Sequence, residues 1–193
     1  MTTKFNAKGS PMSSQQQPKT IWIGETAPTP LGPLWAAVSE KGLWAVSYDI
    51  PREQFEAAVL ERGAAQIHYA PERTAAALQQ LGEFLAGARK TFSLAVDWTG
   101  MTDFQIEVRR ATMAIPYGEV SSYGEVAAQV GRPRAARAVG GVQASNPISF
   151  VIPCHRVLGA DGSLHGYGGS GGLRTKAWLL ELERQQHILD KTI

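Results

Sequence analysis

A single cysteine, Cys154, and four histidines are all that the 193 residues offer in thiol or imidazole chemistry. One cysteine excludes an internal disulfide, and this inventory excludes a cysteine-rich zinc site. No stretch approaches the ~18 consecutive apolar residues of a membrane-spanning helix. The first residues also lack the apolar core of a secretory signal, so a cytoplasmic, metal-free chain is expected. Net charge is scarce at +2. What is present is ordinary: 44% hydrophobic and 19% charged positions, enough for one compact domain or two small ones with a real core. The charge is unevenly spread. From Arg109 to Lys176, eight basic residues meet only Glu119, Glu125 and Asp161, a balance of +5, while the remainder has eleven basic and fourteen acidic residues, −3. A basic region beside an acidic remainder suits a polyanion on one side, and equally a solvated face.

Residues 1–19 are polar, Ser/Gln-rich and aperiodic, and read as a disordered tail. Strands are predicted at Ile21–Gly24, Leu34–Ser39 and Gly42–Tyr48, the last two close enough for a hairpin. Helices are predicted at Arg52–Arg62 and Arg73–Ala88, the second with Leu78, Leu81 and Leu85 at helical spacing. A strand at Thr91–Val96 and a linker at Asp97–Asp103 would close this first unit. Phe104–Ile115 then reads as a helix stopped by Pro116. Ser122 with Glu125 three residues on forms a capping signal for a helix at Tyr123–Val130. Gly131 ends it, Pro133 suits a first helical position, and a helix at Arg134–Gln143 follows. Two short helices joined this tightly make a helix-turn-helix candidate or an ordinary helical corner.

The chemistry concentrates in Asn146–Tyr167. Ile148–Ile152 reads as a buried strand ended by Pro153, which presents Cys154 beside His155 at a turn. A thiol becomes a useful nucleophile only as thiolate, and a histidine in reach can take its proton if a carboxylate orients the ring. Glu181 and Glu183 in the last helical segment are candidates for that carboxylate. A cysteine after an apolar run can equally be a small buried hydrophobe. A cysteine hydrolase would need an oxyanion hole that the sequence does not display. A helix-turn-helix transcription factor would need base-reading side chains on a helix that is mostly alanine, glycine and valine.

The block Pro153-Cys154-His155-Arg156-Val157, preceded by Asn146-Pro147 and followed by Gly166-Tyr167, resembles the active-site signature of the O6-alkylguanine-DNA alkyltransferases. The resemblance spans Phe104 to Glu183 through Ile115-Pro116-Tyr117-Gly118-Glu119, Ser122-Tyr123, Arg137-Ala138-Val139-Gly140 and Leu173 to Leu180. The first half matches weakly, at Thr29-Pro30-Leu31-Gly32 and Gly42-Leu43. It implies an α+β chain, with a small ribonuclease-H-like α/β domain at residues 20–99. A mainly helical, winged-helix-like domain carrying the helix-turn-helix would occupy residues 100–193. It also implies a cofactor-free, monomeric DNA repair enzyme that acts once, moving an alkyl group from O6 of guanine, less readily from O4 of thymine, to Cys154. The target lies inside the duplex stack and must be flipped out.

By the same resemblance, His155 is a water-bridged base polarised by Glu183, Asn146 braces the turn, and Tyr167 donates to the departing guanine. The carbonyls of Cys154 and Val157 read the exocyclic amine, amides near Gly168 face the alkylated oxygen, and Ser149 lines the pocket. Tyr123 crowds the target phosphate, and Arg137 fills the vacated stack. The small Ala135, Ala136, Ala138 and Gly140 let the second helix lie close to the minor groove. An alkylguanine sensor that does not repair is the alternative within that resemblance, disfavoured by the cysteine at position 154. Two departures stand out. The glycine loop Gly166–Leu173 is two residues longer than the usual pattern, so it is expected to be more mobile, and His165 and Ser149 alter the pocket rim, so bulky adducts should be tolerated differently.

Overall fold

A computed structural model describes residues 20–192 of the chain, so the 1–19 tail expected from composition lies outside the described residues. The first half is a four-stranded sheet of β1 (Thr20–Glu25), β2 (Leu34–Ser39), β3 (Gly42–Tyr48) and β4 (Gln66–Tyr69), in the order β3-β2-β1-β4. The first three strands are antiparallel, as the tight Glu40-Lys41 connection dictates. β4 runs parallel to β1 after a crossover through α1 (Arg52–Glu61). Apolar residues alternate between the faces. Ile21, Ile23, Trp35 and Trp44 pack on Phe55 and Val59 of α1, while Leu34, Ala36, Leu43 and Val46 face α2 (Pro71–Leu85). β4 has no apolar alternation, with Ile67 its one partly buried apolar residue, which is why the sequence did not announce it.

The second half is helical: α3 (Asp103–Met113), α4 (Tyr123–Gln129), α5 (Ala136–Ala144) and α6 (Leu173–Thr192). A two-stranded parallel pair, β5 (Ser121–Ser122) with β6 (Val157–Leu158), joins the start of α4 to the chain after Cys154. The expected cap forms, and a second one joins it. Ser122 accepts from the Glu125 amide while Glu125 accepts from the Ser122 amide, and Thr102 with Gln105 does the same for α3. Val108, Ile115, Val126, Val139 and Val157 close a core of their own.

Three expectations need correction. Thr91–Val96 forms no strand: only Val96 bridges, to Leu43, although Phe92 and Leu94 pack on the core as their alternation suggested. The segment Asp97–Asp103 is no loose linker, because Asp97 is buried, accepts from Ser39 and the Thr99 amide, and is followed by buried Met101. Pro133 lies in a turn outside α5, whose N-cap is Ala135. The largest apolar cluster joins the halves, running from Leu34 and Leu81 to Ile148, Phe150, Ile152 and Leu179. That shared core seats the Cys154 turn against the sheet.

Candidate active site and nucleic-acid interface

Ile148–Ile152 is buried as expected but is a run of turns rather than a strand. Pro147 and Pro153 flank it without amide hydrogens, so no ladder can extend through either end. Its bonds are local, Val151 N to Ser149 O at 2.9 Å and Ile152 N to Ile148 O at 3.0 Å. Phe150 adopts φ +73°, a conformation bulky residues avoid, and packs its ring on Tyr48 and Phe84. Asn146 braces the turn at both ends: its Nδ2 donates to Ile152 O at 2.8 Å and its Oδ1 accepts from Ile148 N at 3.1 Å. From the sheet, Val46 N donates to Pro147 O at 2.8 Å. So constrained, Cys154 opens a 3₁₀ turn over Cys154–Arg156 with only 4% of its surface exposed.

His155 Nε2 lies 2.7 Å from Glu183 Oε1, and both side chains are fully buried. Arg156 grips the same carboxylate, with Nε 2.9 Å from Oε2 and Nη2 2.9 Å from Oε1, and donates Nη1 to Ile115 O at 2.6 Å. The Gly118 amide adds a bond to Oε2 at 2.9 Å. Burial pushes the Glu183 carboxyl up, but His155 and Arg156 outweigh it and hold it below the usual carboxylate range. Burial pulls His155 below its ordinary value despite Glu183. A neutral imidazole that donates Nε2–H to Glu183 leaves the Nδ1 lone pair free, and Nδ1 has no partner among the described residues. Of the two candidate glutamates, Glu181 is exposed and pairs with Arg184 and Gln185 instead.

Burial raises the Cys154 thiol, opposed by the side chain of Asn146 and the charges of Lys176 and Arg109. The Tyr167 hydroxyl is buried beside Tyr48 and Ser149 and completes no regular hydrogen bond among the described residues. Val157 is buried, and its carbonyl already accepts from Lys176 Nζ at 2.7 Å. The Cys154 carbonyl accepts from the Val157 amide. Each carbonyl therefore keeps one lone pair for a further donor. The longer glycine loop receives two side-chain bonds at Ser170. Tyr48 Oη and Thr175 Oγ1 both donate to Ser170 O, at 2.9 and 2.8 Å. Gly168 passes so close to Ala144 O that a Cβ would sit 2.2 Å from it, so only glycine fits.

The other predicted residues gather elsewhere. Tyr123, Ala136, Arg137 and Gly140 line an open cleft of about 780 Å³ together with Gly159, His165 and Gly166. Ala135 is the N-cap of α5 and is half-buried against the helical core. Arg137, Ala138, Gly141 and Ala144 face outward. A Cβ on Gly141 would meet nothing within 4 Å, so at that position small size serves no internal packing. Cys154, Tyr167 and Ser149 are not part of that cleft's lining. Arg109, Gly118, Arg156, Lys176 and Tyr48 were missed as site residues. Arg156 stood inside the quoted motif. Gly118 and Lys176 also lay within quoted stretches, whereas Arg109 and Tyr48 occupy helix and strand positions whose convergence no local pattern announces.

The family model for the DNA-binding domain of 6-O-methylguanine DNA methyltransferase matches residues 103–185. The methylated-DNA–protein-cysteine methyltransferase of Salmonella typhimurium is 42% identical over 170 residues, covering 83% of this chain and 95% of that relative. Its namesake in Mycobacterium leprae is 50% identical over 119 residues, 62% of this chain and 70% of the relative. Among solved structures, the O6-methylguanine methyltransferase of Mycobacterium tuberculosis superposes with a TM-score of 0.72 at 37% identity, covering 86% of this chain and 94% of that one. A Mycobacterium tuberculosis OGT in complex with DNA gives 0.69 at 38% identity, over the same shares of the two chains.

Proposed function

The chain belongs to the O6-methylguanine-DNA methyltransferase family, and on that premise we propose that Cys154 is the acceptor of an alkyl group taken from O6 of guanine in duplex DNA. It is a DNA-binding methyltransferase of DNA repair. The observation that carries the residue assignment is that Cys154 and its chain neighbour His155 are both buried, with His155 Nε2 bonded to Glu183 and Glu183 neutralised by Arg156.

The neutral His155, oriented by Glu183, takes the thiol proton at Nδ1, through one water where direct reach fails. The Cys154 sulfur attacks the alkyl carbon in line, the S–C bond forms as the C–O6 bond breaks, and the electron pair leaves on guanine. Tyr167, whose buried hydroxyl has no settled acceptor, donates its proton to that base, and the proton held by His155 passes through water to the phenolate. Burial holds the Tyr167 phenol well above its ordinary value, so it arrives at this step protonated. The Cys154 and Val157 carbonyls accept from the exocyclic amine, with Ser149 and the Gly168 backbone at the pocket edge. The thioether has no further route, so each molecule acts once.

The reacting oxygen lies within the stack, so the nucleotide is extruded at a cost of a few kcal/mol. The cleft supports this reading. Its small outward residues let α5 approach a groove, exposed Arg137 enters the stack, and Tyr123 crowds the backbone. The related lesion O4-alkylthymine would react more slowly. The test is stoichiometry: with duplex carrying one O6-methylguanine in excess, repaired lesions should plateau at one per protein. Continued turnover, or no repair by a folded protein, would overturn it.

A further inference from the structure

Arg109 lies on α3, outside every motif that points to the reaction, and is 2% exposed. Its Nη2 donates to Ser145 O at 2.9 Å, its Nε has no partner, and it makes no ion pair among the described residues. A buried guanidinium without a carboxylate is costly and needs an anion. Arg156, by contrast, is answered by Glu183. The anion within electrostatic reach of Arg109 is the one Cys154 can become.

We propose that Arg109 is a positioning residue for the alkyl transfer: its uncompensated guanidinium stabilises the Cys154 thiolate, and its bond to Ser145 anchors the residue before the Asn146 brace. This rests on Cys154 being the acceptor. The groups facing the sulfur come from every neighbouring element. Tyr48 of β3, Tyr123 of α4 and Tyr167 of the glycine loop are phenols held up by burial, so they stay neutral. His155 is neutral as well. Among the described residues, Lys176 of α6 and Arg109 bring positive charge to the sulfur without an ion pair of their own. Lys176 Nζ is bonded to the carbonyls of Val157 and His165. Arg62, at the end of α1, repels Arg109, and with burial it brings the guanidinium down to about 10, still charged at neutral pH. Arg109 and Lys176 thus offset part of the cost that burial sets on the Cys154 thiolate.

Because Cys154 is the one cysteine of the chain, the ultraviolet absorbance of the thiolate, corrected with Cys154→Ala, reads its titration without DNA. Arg109→Met removes the charge at similar volume, a change that buried ion sites often tolerate in stability. Arg109→Lys keeps the charge and loses the planar fork. The Met variant should titrate at higher pH and transfer more slowly at neutral pH, about tenfold for every pH increment of one by which its midpoint rises. Its rate should converge with wild type in alkali, at unchanged duplex affinity. The Lys variant should restore most of the wild-type profile. Equal midpoints in all three proteins, or a Lys variant displaced as far as the Met variant, would overturn the proposal. Arg109→Gln, which keeps a donor for Ser145, is the second charge-free variant. Failure of both charge-free variants to fold would make the cation a folding element and would also overturn it. If instead Cys154 is not the acceptor, wild-type protein gains no mass from lesion duplex, whatever the titration shows.

Discussion

Cys154, His155 and Arg156 are each at most 5% exposed, and Glu183 alone takes donors from His155, Arg156 and Gly118. Along α5, a short stretch earlier in sequence, the outward residues are Arg137, Ala138, Gly141 and Ala144, and Arg137 makes no ion pair among the described residues. One region holds its carboxylate and its Arg156 counter-charge paired in advance and leaves His155 Nδ1 and the Tyr167 hydroxyl open, while the other turns small residues and a cation to solvent. The difference matches the two tasks. A nucleophile in a low-dielectric site needs its proton acceptor and counter-charges held in advance, whereas a surface that follows a duplex needs small residues and one long cation. Substitutions in the first should therefore cost both stability and rate, and those in the second should cost only engagement of DNA.

The largest effect is expected at Glu183→Gln, which strands Arg156 and frees the His155 ring. Stability should fall by about 3–5 kcal/mol, and single-turnover transfer by about 10²–10⁴-fold. Glu181→Gln, two residues away and exposed, should change neither. Denaturant titration and quenched-flow repair assays check both, and similar losses in the two variants would erase the contrast. Next comes Tyr167→Phe, which should slow transfer about tenfold or more while leaving duplex affinity in place. An affinity loss at unchanged single-turnover rate would move Tyr167 from the chemistry to the interface.

Arg137→Ala should weaken repair in duplex several-fold and leave reaction with free O6-methylguanine base unchanged. Equal loss on both substrates would take Arg137 out of the extrusion step. The smallest effect is in pH. His155 and Glu183 both have folded values below their unfolded ones, so the unfolded chain binds more protons and stability rises with pH. Thermal midpoints should be level between about pH 7 and 8 and decline on acidification, first below about 6.5 for His155 and then below about 4.3 for Glu183. A midpoint that rises between pH 7 and 5 would contradict the neutral, buried histidine.

Much of this was legible because its causes are local. The strands at Leu34–Ser39 and Gly42–Tyr48, the Ser122–Glu125 cap and the Glu183 register within one helix follow from alternation, capping chemistry and helical spacing. The losses are where long-range packing decides. Ile148–Ile152 has the composition of a strand, but two prolines and the Asn146 side chain turn it into a coil of local bonds. Thr91–Val96 alternates correctly yet has one bridge in place of a ladder. The bonds to the glycine loop were not legible because one of them comes from Tyr48, 122 residues earlier, beside the nearby Thr175. Arg109 was hidden for the same reason, since a charged residue on an amphipathic helix reads as surface until the fold buries it.

Whether Cys154 accepts the alkyl group is read most directly by intact mass after incubation with duplex DNA carrying one O6-methylguanine, followed by peptide mapping, beside a Cys154→Ala control. Alkyl transfer predicts a gain of one CH₂ unit, stopping at one per protein, located on Cys154 and absent from the control. A folded wild-type protein that binds the lesion without gaining mass, or a gain that persists in the control, would contradict it.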